Sequence, residues 1–224
     1  MTRLARLSVT LLLATVMALP IYTTAAQDAT EETIFDNPGL MEGIQYGVAR
    51  QWNSTADLST PPAEGESLVY FAGGLVYEFD EEDNAEVAFD LLKDALATYV
   101  NQEFGLASDA FTQEEIDDDT FAYHGLIEEG DERVYFKYVV AAEDEYVLVS
   151  ISATTDEDAS VIANDLIEYM EDQDDDLSGL GEFNEDGTST GGLWDFFPAG
   201  DNELLEGLGG ASDNVVYPVE EDEA

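Results

Sequence analysis

Apolar residues alternate with polar ones, or run almost unbroken, in short segments between residues 68 and 154. Such segments are typical of β-strands, because successive side chains of a strand point to opposite faces of its sheet. The stretch SLVYFAGGLVYEF favours either a tight hairpin or one long strand bent at Gly73 and Gly74. Further strands are predicted for AFTQEEI, TFAYHGLIEE, RVYFKYVVAAE and EYVLVSISA, the second and third joined by a hairpin turn at Gly130-Asp131.

Two other segments repeat their apolar residues every three or four positions, which is the period of an amphipathic helix. The first is EEDNAEVAFDLLKDALATYVNQEF, whose acidic start complements the positive end of a helix dipole. The second is ATTDEDASVIANDLIEYMEDQ. The apolar stripes of the two helices are predicted to contain Val87, Ala88, Leu91, Leu92, Ala95, Leu96 and Tyr99, and Val161, Ile162, Leu166, Ile167, Tyr169 and Met170.

Most of the predicted strands follow one another directly along the chain, which favours antiparallel pairing. We therefore predict an α+β fold. It consists of an antiparallel sheet of about five or six strands, with the two amphipathic helices packed on one face. An aromatic C-terminal segment completes it.

The N-terminal segments precede this domain, which spans residues 67–173. Residues 1–26 carry two arginines, an apolar run and small residues up to Ala26. This is the pattern of a secretory signal peptide, and it predicts cleavage after Ala26 and a secreted protein. Residues 27–66 contain enough apolar positions to pack on the domain as a short helix or strand.

The composition shifts after residue 173. Residues 174–192 are acidic and then rich in Gly, Ser and Thr, which is typical of a linker. Residues 193–218 open with the aromatic cluster LWDFFP, and residues 219–224 form an acidic tail. The aromatic side chains need an apolar surface, either on a binding partner or on the open face of the sheet. We favour the sheet, and keep partner binding as the alternative for Trp194, Phe196 and Phe197.

Charge narrows the choice of partner. The chain has 52 acidic and 6 basic residues, with a formal net charge of −46. Such a field repels nucleic acid and anionic lipid, and attracts cations and cationic polypeptides. We therefore expect no nucleic-acid partner and no membrane association after signal cleavage. Because cysteine is absent, the fold must be stable without disulfides.

The stretch DDDLSGLGEFNE places oxygen-bearing residues at the spacing of an EF-hand calcium loop. However, the position that pairs two such loops is Gly181, and the following NEDGTSTGG is a poor helix former. We favour an acidic linker, with weak calcium binding as the alternative. The ligands would be Asp174, Asp176, Ser178, Leu180, Glu182 and Glu185.

Enzymatic chemistry has little support in the sequence. His124 is the only histidine, and without cysteine it cannot form an ordinary zinc site. It falls within a predicted strand, on the face opposite Phe121 and Tyr123, and no GxSxG motif is present. With 52 acidic residues, carboxylate pairs arise by chance and indicate nothing about glycoside hydrolysis.

These patterns predict a secreted, soluble, non-enzymatic binding or interaction module with a strongly acidic surface. A calcium-stabilised extracellular module that uses residues 174–185 is the alternative, and a carboxylate-based hydrolase is the third. No cofactor is expected apart from calcium in the alternative.

Overall fold

The structure is a computed structural model of the chain, and it describes residues 42–56, 67–103, 111–129, 132–173, 177–183 and 189–217. The predicted signal peptide and the acidic tail lie outside the described residues, as do residues 27–41 of the N-terminal segment. None of the helices in the described part of the chain is both long and apolar enough to cross a membrane.

The described residues form nine strands and two α-helices. The strands are β1 (Ile44–Ser54), β2 (Val69–Phe79), β3 (Phe111–Glu115), β4 (Thr120–Glu129), β5 (Glu132–Glu143), β6 (Tyr146–Thr154), β7 (Glu182–Phe183), β8 (Ser189–Thr190) and β9 (Leu208–Tyr217). The helices are α1 (Glu82–Glu103) and α2 (Val161–Glu171). Short 3-10 turns occupy Asp158–Ser160, Gly192–Phe196 and Glu203–Leu205.

Seven strands form one antiparallel sheet in the order β3-β4-β5-β6-β2-β1-β9, and β7 pairs with β8 in a separate ribbon. The α+β class and the strands β3 to β6 are confirmed. The predicted number of strands is too low, because β1 and β9 extend the sheet beyond β2. The stretch around Gly73 and Gly74 is one continuous strand and not a hairpin.

The two helices pack on opposite faces of the sheet, so the prediction that they share one face is wrong. Helix α1 covers a first core that includes Phe71, Phe121 and Phe136. Helix α2 covers a second core that includes Val76 and Leu148. The reason lies in the central strands: every residue of β6 is buried, so both faces of the sheet need an apolar cover.

Each helix turns a slightly different stripe to the sheet from the one predicted. Val87 and Val161 are 49% and 51% exposed, although both were placed on the apolar stripes. The buried positions follow a stricter helical period, and they are Ala85, Ala88, Phe89, Leu92 and Leu96 in α1, and Ile162, Ala163, Leu166, Ile167 and Met170 in α2.

The aromatic C-terminal segment closes the second core. The Phe197 ring packs edge-on against Trp52 of β1 at a centroid distance of 6.3 Å, and the Phe196 ring lies 5.0 Å from Tyr146 of β6. Gly74 makes this possible, because a Cβ atom there would lie 2.7 Å from Cε1 of Phe197. The glycine inside β2 therefore leaves room for an aromatic ring above the sheet.

A buried ion pair connects the aromatic C-terminal segment to β1. Nε and Nη2 of Arg50 on β1 donate to the two carboxylate oxygens of Asp213 on β9, at 2.7 and 2.8 Å. Nη2 also donates to the carbonyl oxygen of Ser189 at 2.7 Å. The guanidinium lies 5.4 Å from the ring centroid of Trp194 and 5.5 Å from that of Phe197. One side chain thus joins β1, β8, β9 and the aromatic cluster.

Replacing Asp213 with alanine should lower the free energy of unfolding by about 3–5 kcal/mol, because it leaves the Arg50 charge buried without a partner. Urea unfolding at constant ionic strength measures the loss. The matched control is Asp201→Ala, which removes the same charge from an exposed position in the same C-terminal segment and should change stability by at most about 0.5 kcal/mol.

The double variant Arg50→Met with Asp213→Leu removes both charges together, and it should be more stable than Asp213→Ala alone. Equal losses from Asp213→Ala and Asp201→Ala would show that the ion pair does not hold the second core together.

Candidate functional site

An open pocket of about 400 Å³ lies on the second face of the sheet, beside the N-terminal end of α2. Three neighbouring strands supply one wall. Its side chains are Glu114 from β3, His124 from β4, and Tyr135 and Lys137 from β5. The opposite wall comes from the turn before α2 and from the first turn of that helix, including Glu157, Asp158 and Asn164.

Strand alternation and pairing bring the first wall together. In β4, Phe121 and Tyr123 point into the first core, so His124 points to the other face as the alternation predicts. The β4–β5 register sets His124 directly opposite Lys137. Tyr135 lies two residues before Lys137 and therefore shares its face. Helix α2 packs on β5, β6 and β2, which leaves β3 and β4 beside the pocket.

His124 and Tyr135 form a close polar pair in this wall. Nδ1 of His124 lies 2.5 Å from the Tyr135 hydroxyl, and Nε2 lies 3.9 Å from Oε2 of Glu114. Burial, together with the nearby charges of Glu157 and Glu114, raises the pKa of Tyr135 from 10.0 to about 12. The phenol is therefore protonated at neutral pH. Its hydroxyl hydrogen is available to Nδ1 of His124 whenever that ring nitrogen carries no proton.

The turn that leads into α2 is held by Asp156. Its carboxylate accepts hydrogen bonds from the Ala159 amide at 3.1 Å and from the hydroxyls of Ser67 and Thr155 at 2.8 and 3.1 Å. Burial raises the pKa of Asp156, but the hydrogen bonds from Ser67, Ala159 and Thr155 outweigh burial and keep this pKa below its usual value. The turn is thus fixed in position, and with it the pocket-lining Glu157 and Asp158.

Asn164 contributes a buried acceptor to the pocket. Its Oδ1 atom is inaccessible to solvent and has no hydrogen-bond partner among the described residues. Buried side-chain oxygens are rarely left in this state, because the lost hydration is not replaced. The first turn of α2 therefore carries, in a pocket-lining residue, an oxygen that has no donor among the described residues.

The predicted calcium loop is described only in part. Asp174, Asp176 and Glu185 lie outside the described residues. The Ser178 hydroxyl donates to Oε1 of Glu78 at 2.5 Å, and the Gly179 amide donates to Oε2 at 3.0 Å, which fastens this loop to β2.

The structure also describes two other predicted ligands, Leu180 and Glu182. Leu180 packs against the second core, and Glu182 is exposed in β7. No group of three or more His, Cys, Asp or Glu side chains placed to hold a metal occurs within the described ranges. Calcium binding at residues 174–185 stays a prediction.

The aromatic residues predicted as a possible partner site lie inside the protein. Trp194, Phe196 and Phe197 are 1%, 3% and 3% exposed, and all three belong to the second core. In this arrangement their rings contact the chain's own residues and are not accessible to a partner.

The sequence interpretation did not single out Tyr135, Lys137 or Asn164. The sequence held a signal for Lys137, because the hairpin turn predicted at Gly130-Asp131 implies a register with His124 opposite Lys137, and β4 and β5 pair in this register. No comparable signal exists for Asn164. Its place in the pocket depends on where α2 packs across strands that are distant in sequence.

We expect the Tyr135→Phe variant to lose less stability than the parent protein between pH 10 and about pH 12. The raised pKa means that Tyr135 stabilises the folded state below pH 10, and that this contribution is lost as pH rises toward about 12. Urea unfolding at several pH values and constant ionic strength gives the comparison. An identical loss in both proteins would contradict the burial of this phenol.

Millimolar calcium, magnesium and sodium at matched ionic strength should raise the thermal midpoint by the same amount, through screening of the acidic residues. This follows because Ser178 and Gly179 are already bonded to Glu78. A larger shift in calcium that disappears in Glu185→Ala would establish the calcium site instead.

Comparison with known proteins gives no family for the chain. No protein-family model matches it, and a search of curated proteins finds no match either. The geometry and charge of the pocket are therefore the basis for proposing a function.

Proposed function

We propose that the protein is an exported, non-enzymatic binding module, and that its pocket beside α2 takes a ligand with a cationic amine. The observation that carries this proposal is the buried Oδ1 atom of Asn164, which lines the pocket and has no donor among the described residues. An ammonium group has three N–H donors and no acceptor, so it matches such an oxygen.

The energetics of hydrogen bonding to a buried acceptor support the same proposal. A buried acceptor without a donor costs about 1–3 kcal/mol. A hydrogen bond from a charged donor is worth about 1.5–3 kcal/mol. A ligand that donates to Asn164 would therefore make a hydrogen bond that no donor of the described residues makes.

Charge favours a cation over a neutral donor. Three carboxylates line the pocket, from Glu114, Glu157 and Asp158. The net charge of −46 draws cations toward the whole surface and raises their rate of encounter. A primary amine is the chemistry that a small free ligand and a lysine side chain of a cationic polypeptide have in common.

The same geometry favours binding over catalysis. General acid–base catalysis works best with a pKa near the working pH, whereas the pKa of Tyr135 is moved to about 12. The pocket serine, Ser160, donates its hydroxyl to the Glu157 carbonyl at 2.6 Å and is not bonded to His124. The pair that an activated serine nucleophile requires is therefore not formed.

We expect n-butylamine to bind the pocket, with shifts of the amide NMR signals of β5 and of the first turn of α2 during titration. Asn164→Leu should weaken this binding about tenfold or more, because it removes the acceptor from the pocket. The same variant should be as stable as the ligand-free parent or more stable, since an unsatisfied polar atom is replaced by an apolar group of similar size.

Asp165→Asn is the matched control for this test. Asp165 is the next residue of α2 and is exposed, and it does not line the pocket, so the variant should bind like the parent. Nα-acetyl-lysine methylamide replaces butylamine in a second arm, and tighter binding there would indicate a polypeptide as the source of the amine. Unchanged binding of butylamine to Asn164→Leu would overturn the proposal.

A further inference from the structure

We infer that the ligand is a zwitterion, whose amine binds at the Asn164 side of the pocket and whose carboxylate binds Lys137. This inference rests on the proposed function and adds an anionic group to the same ligand. The observation behind it is the state of Lys137, which lines the pocket and has no carboxylate within ion-pair distance among the described residues.

The other basic side chains of the described chain are all paired. Each has a carboxylate oxygen at 2.7–2.9 Å, and the pairs are Arg50 with Asp213, Lys93 with Glu115, and Arg133 with Glu128. With 52 acidic residues against 6 basic ones, carboxylate partners are abundant, so an unpaired lysine is the exception. It occurs at the wall of a pocket and not on an open surface.

The neighbours of Lys137 explain why it stays unpaired. Its cross-strand neighbours are His124 on β4 and Ser152 on β6, and neither has a carboxylate. The pocket carboxylates come from β3 and from the turn before α2. The pocket wall formed by the strands therefore has a positive group, Lys137, and acidic groups lie to either side of it. A carboxylate on Lys137 would form a charge-assisted hydrogen bond.

The net charge of the protein determines which anionic groups can bind to Lys137. A simple carboxylate is repelled by the field of 52 acidic residues, whereas a zwitterion has no net charge and brings its amine to the acidic side. The expected order of affinity is amino acid, then amine, with no binding of the carboxylate alone. The separation of the two ligand charges is measured by testing amino acids of increasing length.

The experiment titrates the parent protein with n-butylamine, butyrate, glycine, β-alanine, γ-aminobutyrate and 5-aminopentanoate, followed by NMR. At least one amino acid should bind about tenfold more tightly than butylamine, and butyrate should not bind. Lys137→Met should reduce the affinity of that amino acid to the level of butylamine, while butylamine binds at least as well as before. Lys137→Arg should keep the preference.

Arg133→Met is the matched control, since it removes the same charge from the same strand at an exposed residue that does not line the pocket. It should leave the preference for the amino acid unchanged. If butylamine binds through Asn164 but no amino acid binds more tightly, the zwitterion is wrong and the binding function stands. If Lys137→Met keeps the preference, Lys137 is not the anion site. If none of the compounds binds, both proposals are wrong.

Discussion

The burial of the Arg50 guanidinium is the constraint on which the second face of the sheet depends. Taking an arginine charge out of water is unfavourable unless its donors are satisfied, and here Asp213 and the Ser189 carbonyl satisfy them. The rings of Trp194 and Phe197 then cover the guanidinium, so the aromatic cluster has one place where it fits. One ion pair thus joins the second core, its aromatic cover and the last strand.

Scarcity of positive charge gives each basic residue of this chain a distinct role. With 6 basic residues against 52 acidic ones, self-repulsion opposes compaction, and every cation reduces it locally. Arg50 has a structural role beside Trp194 and Phe197 of the second core. Lys137, on the same face of the sheet, is left without a carboxylate at the pocket wall. Helix α2 separates the two environments by covering β5, β6 and β2.

Local sequence patterns were sufficient to predict strands β3 to β6, the positions of both helices and the face of the sheet to which His124 points. Each of these features depends on residues that are close in sequence. The side on which each helix packs was not predictable from its stripe, although the apolar run YVLV at the start of β6 indicated two buried faces. Strand β9 was missed because its exposed stretch resembles a tail, and only its pairing with β1 makes it a strand. Asn164 was missed for the same reason, since long-range packing places it.

The distance along the chain between Arg50 and Asp213, 163 residues, has a consequence for the order in which the protein can fold. Strands β1 to β6 and helix α1 contain most of the first core, so much of that layer can assemble early. The second core waits for residues 189–217, the last part that the structure describes. Contacts this far apart slow folding, because a long loop must close before they form. For a chain predicted to be exported, completion of the second core is thereby tied to the arrival of its C-terminal end.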